Sequence, residues 1–287
     1  MMISTPNAIF FNDAIVDKTD GRLRILDRGF LYGDGLFETL RTYDKRPFRL
    51  DSHVARLTSS ARYFAIPFHY TTQDLQQIIE QLLARNKLRD AYVRMTLSRG
   101  SGMNEFIPTG IYQPTFLIHT KPFTAYPASF YKTGVSLITS SIRRSTTCPI
   151  SNHKTLSYLT NYLIKKEAVD QGAHDALILN TEGYVTECAV SNVFLVERNT
   201  VITPSLKANL LPGVTRGTIL ELCKRNGVHA SEELFGLERV LAADEVFLTN
   251  SLMEVMPVSA INGKTVGRLV PGVITSLLHN KYQALAY

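Results

Sequence analysis

Apolar positions along the chain fall into short alternating runs, interrupted by two clear helical stripes. Ala8–Phe11 and Ala14–Val16 read as strands around an Asn12-Asp13 turn, a hairpin signal. Gly35–Tyr43 mixes aromatic and β-branched residues and reads as a longer strand. Asp44-Lys45-Arg46-Pro47 reads as a turn, after which Phe48-Arg49-Leu50 returns. From Ser52 the period becomes helical, with Val54, Leu57, Ala61 and Phe64 on one stripe and Pro67 as the stop. Thr72 is the expected cap of a second helix over 73–85, whose apolar face is Leu75, Ile78, Ile79, Leu82 and Leu83. With strands over 92–98 and 115–120, residues 1–120 read as a small α+β domain.

Lys121–Pro127 carries two prolines and no helical period, so 121–134 reads as a connection and 135–287 as a second, larger α/β domain. Strands are expected at Val135–Ser141, Asp175–Asn180, from Tyr184, at Asn192–Glu197, at Val201-Ile202 and at Glu245–Thr249. Helices are expected over 155–170 and 215–226, the second closed by Gly227.

Bulk properties narrow the class. The 287 residues, 45% hydrophobic and 20% charged, suffice for two cores. A net charge of +6 favours anionic small molecules. The basic residues are scattered, and the pairs Arg143-Arg144 and Lys165-Lys166 read as solvated surface. No helix-turn-helix, RNP motif or zinc-finger spacing is present, so nucleic acid is not an expected partner. Three distant cysteines form no CxxC pair, which argues against a zinc site or a disulfide framework and fits a reducing compartment. Met1–Phe11 lacks a signal-peptide pattern, and no run reaches the roughly 20 apolar residues of a membrane span. The expected compartment is the cytoplasm.

Candidate chemistry centres on Lys154, just before the second domain's first helical pattern. A lysine there is ordinarily a surface residue; as a Schiff-base lysine it needs a cofactor with a phosphate anchor and a carboxylate for a pyridine nitrogen. Leu211-Pro212-Gly213-Val214-Thr215-Arg216 leads into a helix, where Gly213 permits close approach and the amides and Thr215 hydroxyl suit a phosphate; a plain Pro-Gly turn is the alternative. Arg56 could fork onto phosphate oxygens or sit on the surface. Thr249-Asn250-Ser251 is a phosphate edge or a simple turn. Glu187, in a strand of low charge, either pairs with a protonated pyridine nitrogen or faces outward. No dinucleotide fingerprint, P-loop, HExxH or GxSxG is present.

These pieces resemble, in order, the motifs of the class IV aminotransferase family, the fold type IV pyridoxal-phosphate enzymes. The segments are 27–41 (DRGFLYGDGLFETLR), 50–57 (LDSHVARL), Lys154 with Tyr158, 185–194 (VTECAVSNVF), 211–216 (LPGVTR) and 243–251 (ADEVFLTNS). The resemblance implies a two-domain, D-amino-acid aminotransferase-like fold and pyridoxal 5′-phosphate held on Lys154 as a Schiff base. By it Glu187 holds the pyridine nitrogen, while Arg56, Gly213, Val214, Thr215 and Ser251 hold the phosphate. Tyr158 lies near the 3′-oxygen and Leu211 packs on the ring. Tyr32, Phe37, Arg94 and Leu252 wall the substrate. The family implies a small-molecule amino substrate and a homodimer whose partner helps close the pocket.

Within the family, Thr39 stands where branched-chain aminotransferases carry glycine, and 250–258 (NSLMEVMPV) is similar to 4-amino-4-deoxychorismate lyases. Bulky Leu252 and Met253 would reshape the wall, and the Arg-x-His of D-specific enzymes is missing after Arg99-Gly100. Tyr32 and Arg94 match branched-chain positions. The expectation is therefore a lyase forming 4-aminobenzoate and pyruvate. The alternative is an aminotransferase acting on branched-chain L-amino acids or, less readily, D-amino acids.

Overall fold

Two tight turns frame the first sheet. Asn12-Asp13 (φ 43° and 70°) joins β1 (Ala8–Phe11) to β2 (Ala14–Asp17). Asp44-Lys45 (φ 46° and 67°) joins β3 (Gly35–Tyr43) to β4 (Arg46–Pro47). Both pairs of central residues are left-handed, the twist that two-residue hairpins require. Arg46-Pro47, expected in the turn, is therefore the return strand, and the chain enters a helix at Leu50 instead of extending through 48–50. The computed structural model describes residues 7–101, 106–107 and 112–287. Part of the N-terminal segment read for a signal peptide, and of the segment after Gly100 where Arg-x-His is missing, lies outside the described residues.

The chain divides into two compact units: Met1–Thr124 with Lys154–Tyr158, and Ala125–His153 with Leu159–Tyr287. The first contains the short helix α1 (Arg28–Tyr32), α2 (Leu50–Tyr63), α3 (Thr72–Arg85), β5 (Ala91–Ser101) and β6 (Gln113–Pro122). Its sheet is antiparallel throughout, in the order β2-β1-β6-β5-β3-β4. Alternation sends Leu36, Leu40, Val93, Met95, Leu97 and Ile118 to the face that packs with Leu57, Leu75, Ile79 and Leu82 of α2 and α3. The cap of α3 is Thr71, one residue before the expected Thr72, because Thr71 and Asp74 form a reciprocal capping box.

The second unit contains α4 (Ala128–Thr133), β7 (Val135–Thr139), α5 (Leu159–Asp170), β8 (Asp175–Leu179), β9 (Val185–Cys188), β10 (Asn192–Glu197) and β11 (Thr200–Pro204). It continues with α6 (Val214–Arg225), β12 (Ala230–Glu233), α7 (Leu237–Leu241), β13 (Glu245–Asn250), β14 (Glu254–Ile261), β15 (Lys264–Thr265) and α8 (Val273–Ala286). The nine strands form a mixed sheet, β12-β11-β10-β13-β14-β7-β8-β9, with β15 paired to β14. Among the described residues, no helix is long and apolar enough to cross a membrane.

The expected helix from Thr155 is corrected: α5 begins at Leu159, and residues 154–158 lie outside any helix, with Thr155 bridged to β3. The reason is backbone pairing. Phe37 N–H donates to Lys154 O (2.9 Å), Leu156 N–H donates to Gly35 O (2.9 Å), and Thr155 bridges Leu36. Those groups are spent on the first sheet and cannot enter a helical ladder.

Candidate active site

Lys154 reaches its surroundings through this pairing. Gly35 makes the approach possible: a Cβ there would stand 2.5 Å from Leu97 O and 2.7 Å from the Leu156 side chain. Lys154 Nζ lies 4.4 Å from the Phe37 ring centroid and 5.7 Å from that of Tyr158. The two rings meet edge to face at 5.2 Å. Arg94 stacks on Phe37 as well, its guanidinium carbon 3.9 Å from the centroid. The structure thus brings Lys154, Phe37, Tyr158 and Arg94 together. Tyr32 stands apart: it is exposed, meeting Phe106 edge to face and lying under the Arg28 guanidinium.

Arg56 is anchored from β3. Glu38 accepts from Arg56 Nε and Nη2, both at 2.7 Å, and lies 2.7 Å from His53 Nδ1. Glu38 and His53 are almost fully buried. Burial would raise the Glu38 pKa, but the Arg56 charge and hydrogen bonds, with His53, outweigh it and hold the carboxyl at about 2. Burial lowers the His53 pKa against the pull of Glu38, so the ring is neutral at pH 7 and its Nδ1–H donates to the carboxylate. A carboxyl depressed on folding contributes stability above its unfolded pKa, and that contribution fades as pH falls from 4.5 towards 2. Glu38→Gln is expected to lower stability at pH 7 and to flatten its pH dependence across that window, as measured by urea unfolding at several pH values. Sequence reading passed over Glu38 and gave His53 no role, since their link to Arg56 is tertiary.

In the second unit all four residues of β9 are buried, which removes the outward-facing alternative for Glu187. Its carboxylate lies 3.3 Å from Arg144 Nη2 and accepts from Asn192 Nδ2 (3.3 Å) and Leu211 N–H (3.3 Å). Arg144, expected as solvated surface, has a side chain only 13% exposed, because it pairs with this buried acid. Lys165 of the other basic pair lies 3.8 Å from the buried Asp175.

Asn192 also donates to Leu211 O (2.9 Å), so it ties Glu187 to the loop ahead of α6. Gly213 caps α6, and a Cβ there would fall 1.9 Å from Asn192 Oδ1. Val214 and Thr215 follow at the helix N-terminus, with Thr215 buried. Thr249 lies opposite Asn192 in the β10–β13 ladder, and its buried hydroxyl has no partner among the described residues. Asn250 Oδ1 accepts from Leu252 and Met253 N–H (2.9 and 2.8 Å), shaping the turn that carries Ser251 and Leu252. Arg144 and Asn192 had no local signature; Asn192 was visible only as part of the 185–194 motif.

The comparisons with known proteins place this architecture. The family model described as amino-transferase class IV matches residues 35–261. The D-alanine aminotransferase of Bacillus licheniformis is 32% identical, covering 96% of this chain and 95% of its own. The aminodeoxychorismate lyase of Bacillus subtilis is 32% identical, with 96% and 93% covered. Among solved structures, the T.th. branched-chain amino acid aminotransferase with pyridoxamine 5′-phosphate superposes with a TM-score of 0.91 at 28% identity, covering 98% of this chain and 94% of that one. With its two sheets, its helices and the motif residues just described, the chain belongs to the class IV aminotransferase family. It has the fold type IV architecture and is a pyridoxal-phosphate enzyme.

Proposed function

We propose that the protein is a 4-amino-4-deoxychorismate lyase. The observation that carries this reading is the face of β3 beside Lys154, where Phe37 and Thr39 alternate and Thr39 lies opposite Arg94 in register. Thr39 supplies a hydroxyl able to relay a proton, and Arg94 a cation able to receive a carboxylate. Leu252, on the turn capped by Asn250, adds apolar bulk suited to a ring substrate.

The second unit fits the cofactor. Glu187, oriented by Arg144 and Asn192, suits a protonated pyridine nitrogen. The N-terminus of α6 at Val214 and Thr215, the lack of room for a Cβ at Gly213 and the orphan Thr249 hydroxyl suit a phosphate, with Ser251 on the next turn. Arg56 would supply the phosphate cation of the first unit, Leu211 would pack on the ring, and Tyr158 would serve the 3′-oxygen. Pyridoxal phosphate, when bound, supplies the electron sink for the carbon beside the amine. Lys154 takes the proton from that ring carbon. One proton reaches the enolpyruvyl methylene, helped by Thr39, as the C–O bond breaks. Pyruvate leaves and the ring becomes 4-aminobenzoate, so protons removed and delivered balance.

A second reading is an aminotransferase for branched-chain L-amino acids, in which Lys154 would both take and return the proton. Arg94 and Tyr32 favour it. The exposed apolar Leu23, Ile25, Leu26, Phe30 and Leu31 support a homodimer in which Tyr32 walls the partner's site. The deciding test supplies the yellow holoenzyme with 4-amino-4-deoxychorismate and follows both products. Equal 4-aminobenzoate and pyruvate are expected. No product would turn the assignment to transamination, with L-leucine, L-valine and D-alanine as donors.

A further inference from the structure

The turn between β13 and β14 is held from behind by side chains that the proposed reaction does not use. Asn250 and Glu254 are the last pair of the ladder, so Ser251, Leu252 and Met253 form the turn. Met253 is buried in the core of the second unit, while Ser251 and Leu252 are half-buried. Glu254 closes the turn with φ 61°, in the left-handed region. That conformation favours glycine, and a side chain there is strained unless its surroundings hold it.

The hold comes from α8. Glu254 is almost fully buried, and its Oε2 accepts from His279 Nε2 (3.0 Å) and Gln283 Nε2 (3.2 Å). His279 and Gln283 are four residues apart, so both donors leave the same face of α8. The His279 ring stacks on Tyr131 of α4, with centroids 5.1 Å and planes 15° apart. The Tyr131 hydroxyl donates to Met253 O (3.1 Å), at the residue just ahead of Glu254. Two helices thus grip two successive residues, one by its carbonyl and one by its side chain. A buried carboxylate is unfavourable without such donors, and a hairpin turn of itself calls for none.

We propose that Glu254, with His279, Gln283 and Tyr131, is a positioning cluster that fixes the backbone of the 251–253 turn for the cofactor phosphate and the substrate. This rests on the reading that Ser251 meets the phosphate and Leu252 walls the substrate. Asn250 shapes the turn from within, through the Leu252 and Met253 N–H groups, and the cluster sets it from outside. An edge that is already ordered loses little freedom when a phosphate arrives. A loosened edge must be ordered first, which lowers affinity.

The test follows release of the cofactor from diluted holoenzyme, read as loss of its lysine-bound absorbance, beside urea unfolding. Glu254→Gly keeps the left-handed backbone and removes the carboxylate. Release is expected to quicken about tenfold, as for loss of one charge-assisted contact. Glu254→Gln, which can still accept from His279, should bring release back to within about threefold of the parent. Tyr131→Phe removes a single hydroxyl; it should move release in the same direction and carries the test if Glu254→Gly folds poorly. Lower unfolding midpoints with unchanged release would mean a structural cluster only and overturn the proposal. Ser251→Ala separates the cluster from the reading it rests on. If Ser251→Ala speeds release and the cluster variants do not, the positioning role is wrong; if none of them does, the phosphate edge falls and the cluster's role with it.

Discussion

Lys154→Ala is expected to abolish turnover, with kcat falling at least about 10⁴-fold, because in the proposed site one amine both holds the cofactor and moves the proton. The loss should be chemical rather than structural. The segment is pinned by its backbone, through Lys154 O and Leu156 N–H on β3, and truncation beyond Cβ leaves those bonds in place. The variant should therefore melt within a few degrees of the parent while losing the absorbance of the lysine-bound cofactor. Calorimetry, absorbance and product formation together check this. A variant with normal activity would overturn the assignment of the site.

Glu187→Gln is expected to lower kcat by about 10²-fold or more, since a neutral amide cannot keep a pyridine nitrogen protonated. It should also destabilise the protein by about 3–5 kcal/mol, as breaking one side of a buried ion pair does. Arg144, largely buried, is left without its carboxylate. The two consequences can be separated. Combining Glu187→Gln with Arg144→Met removes the stranded charge, so denaturant unfolding should show stability partly restored while activity stays low. If activity returned with stability, Glu187 would be a structural acid only.

How far the sequence led depends on how local each feature is. Helices α2 and α3 were legible because their apolar stripes repeat at helical spacing over a full face. Strand β3 was legible to the residue, since aromatic and β-branched side chains alternate along it. Residues 155–158 misled because a helical pattern runs through them, while the bonds that hold the start of this segment against β3 come from Gly35 and Phe37, far away in the chain. Helix α8 and strand β14 drew no expectation. Arg144 looked like any surface arginine beside another, and only its contact with Glu187 shows otherwise. Motif order led to Lys154, Glu187 and the α6 N-terminus. The residues that hold Arg56 (Glu38 with His53) and Glu187 (Arg144 and Asn192) come from tertiary packing.

Between its units the chain passes three times, at Thr124–Ala125, His153–Lys154 and Tyr158–Leu159. The five residues from Lys154 to Tyr158 thus belong by contact to one unit, while the chain on both sides of them belongs to the other. Neither unit is a separable module. A piece ending at Thr124 contains β3 but no Lys154; a piece starting at Ala125 contains Lys154 but not the strand it pairs with. Exchange at a single junction during evolution would hand on a lysine without its bed, or a bed without its lysine. This stitch makes the two units dependent on one another: the bed of Lys154 is built by one and the chain that carries it by the other.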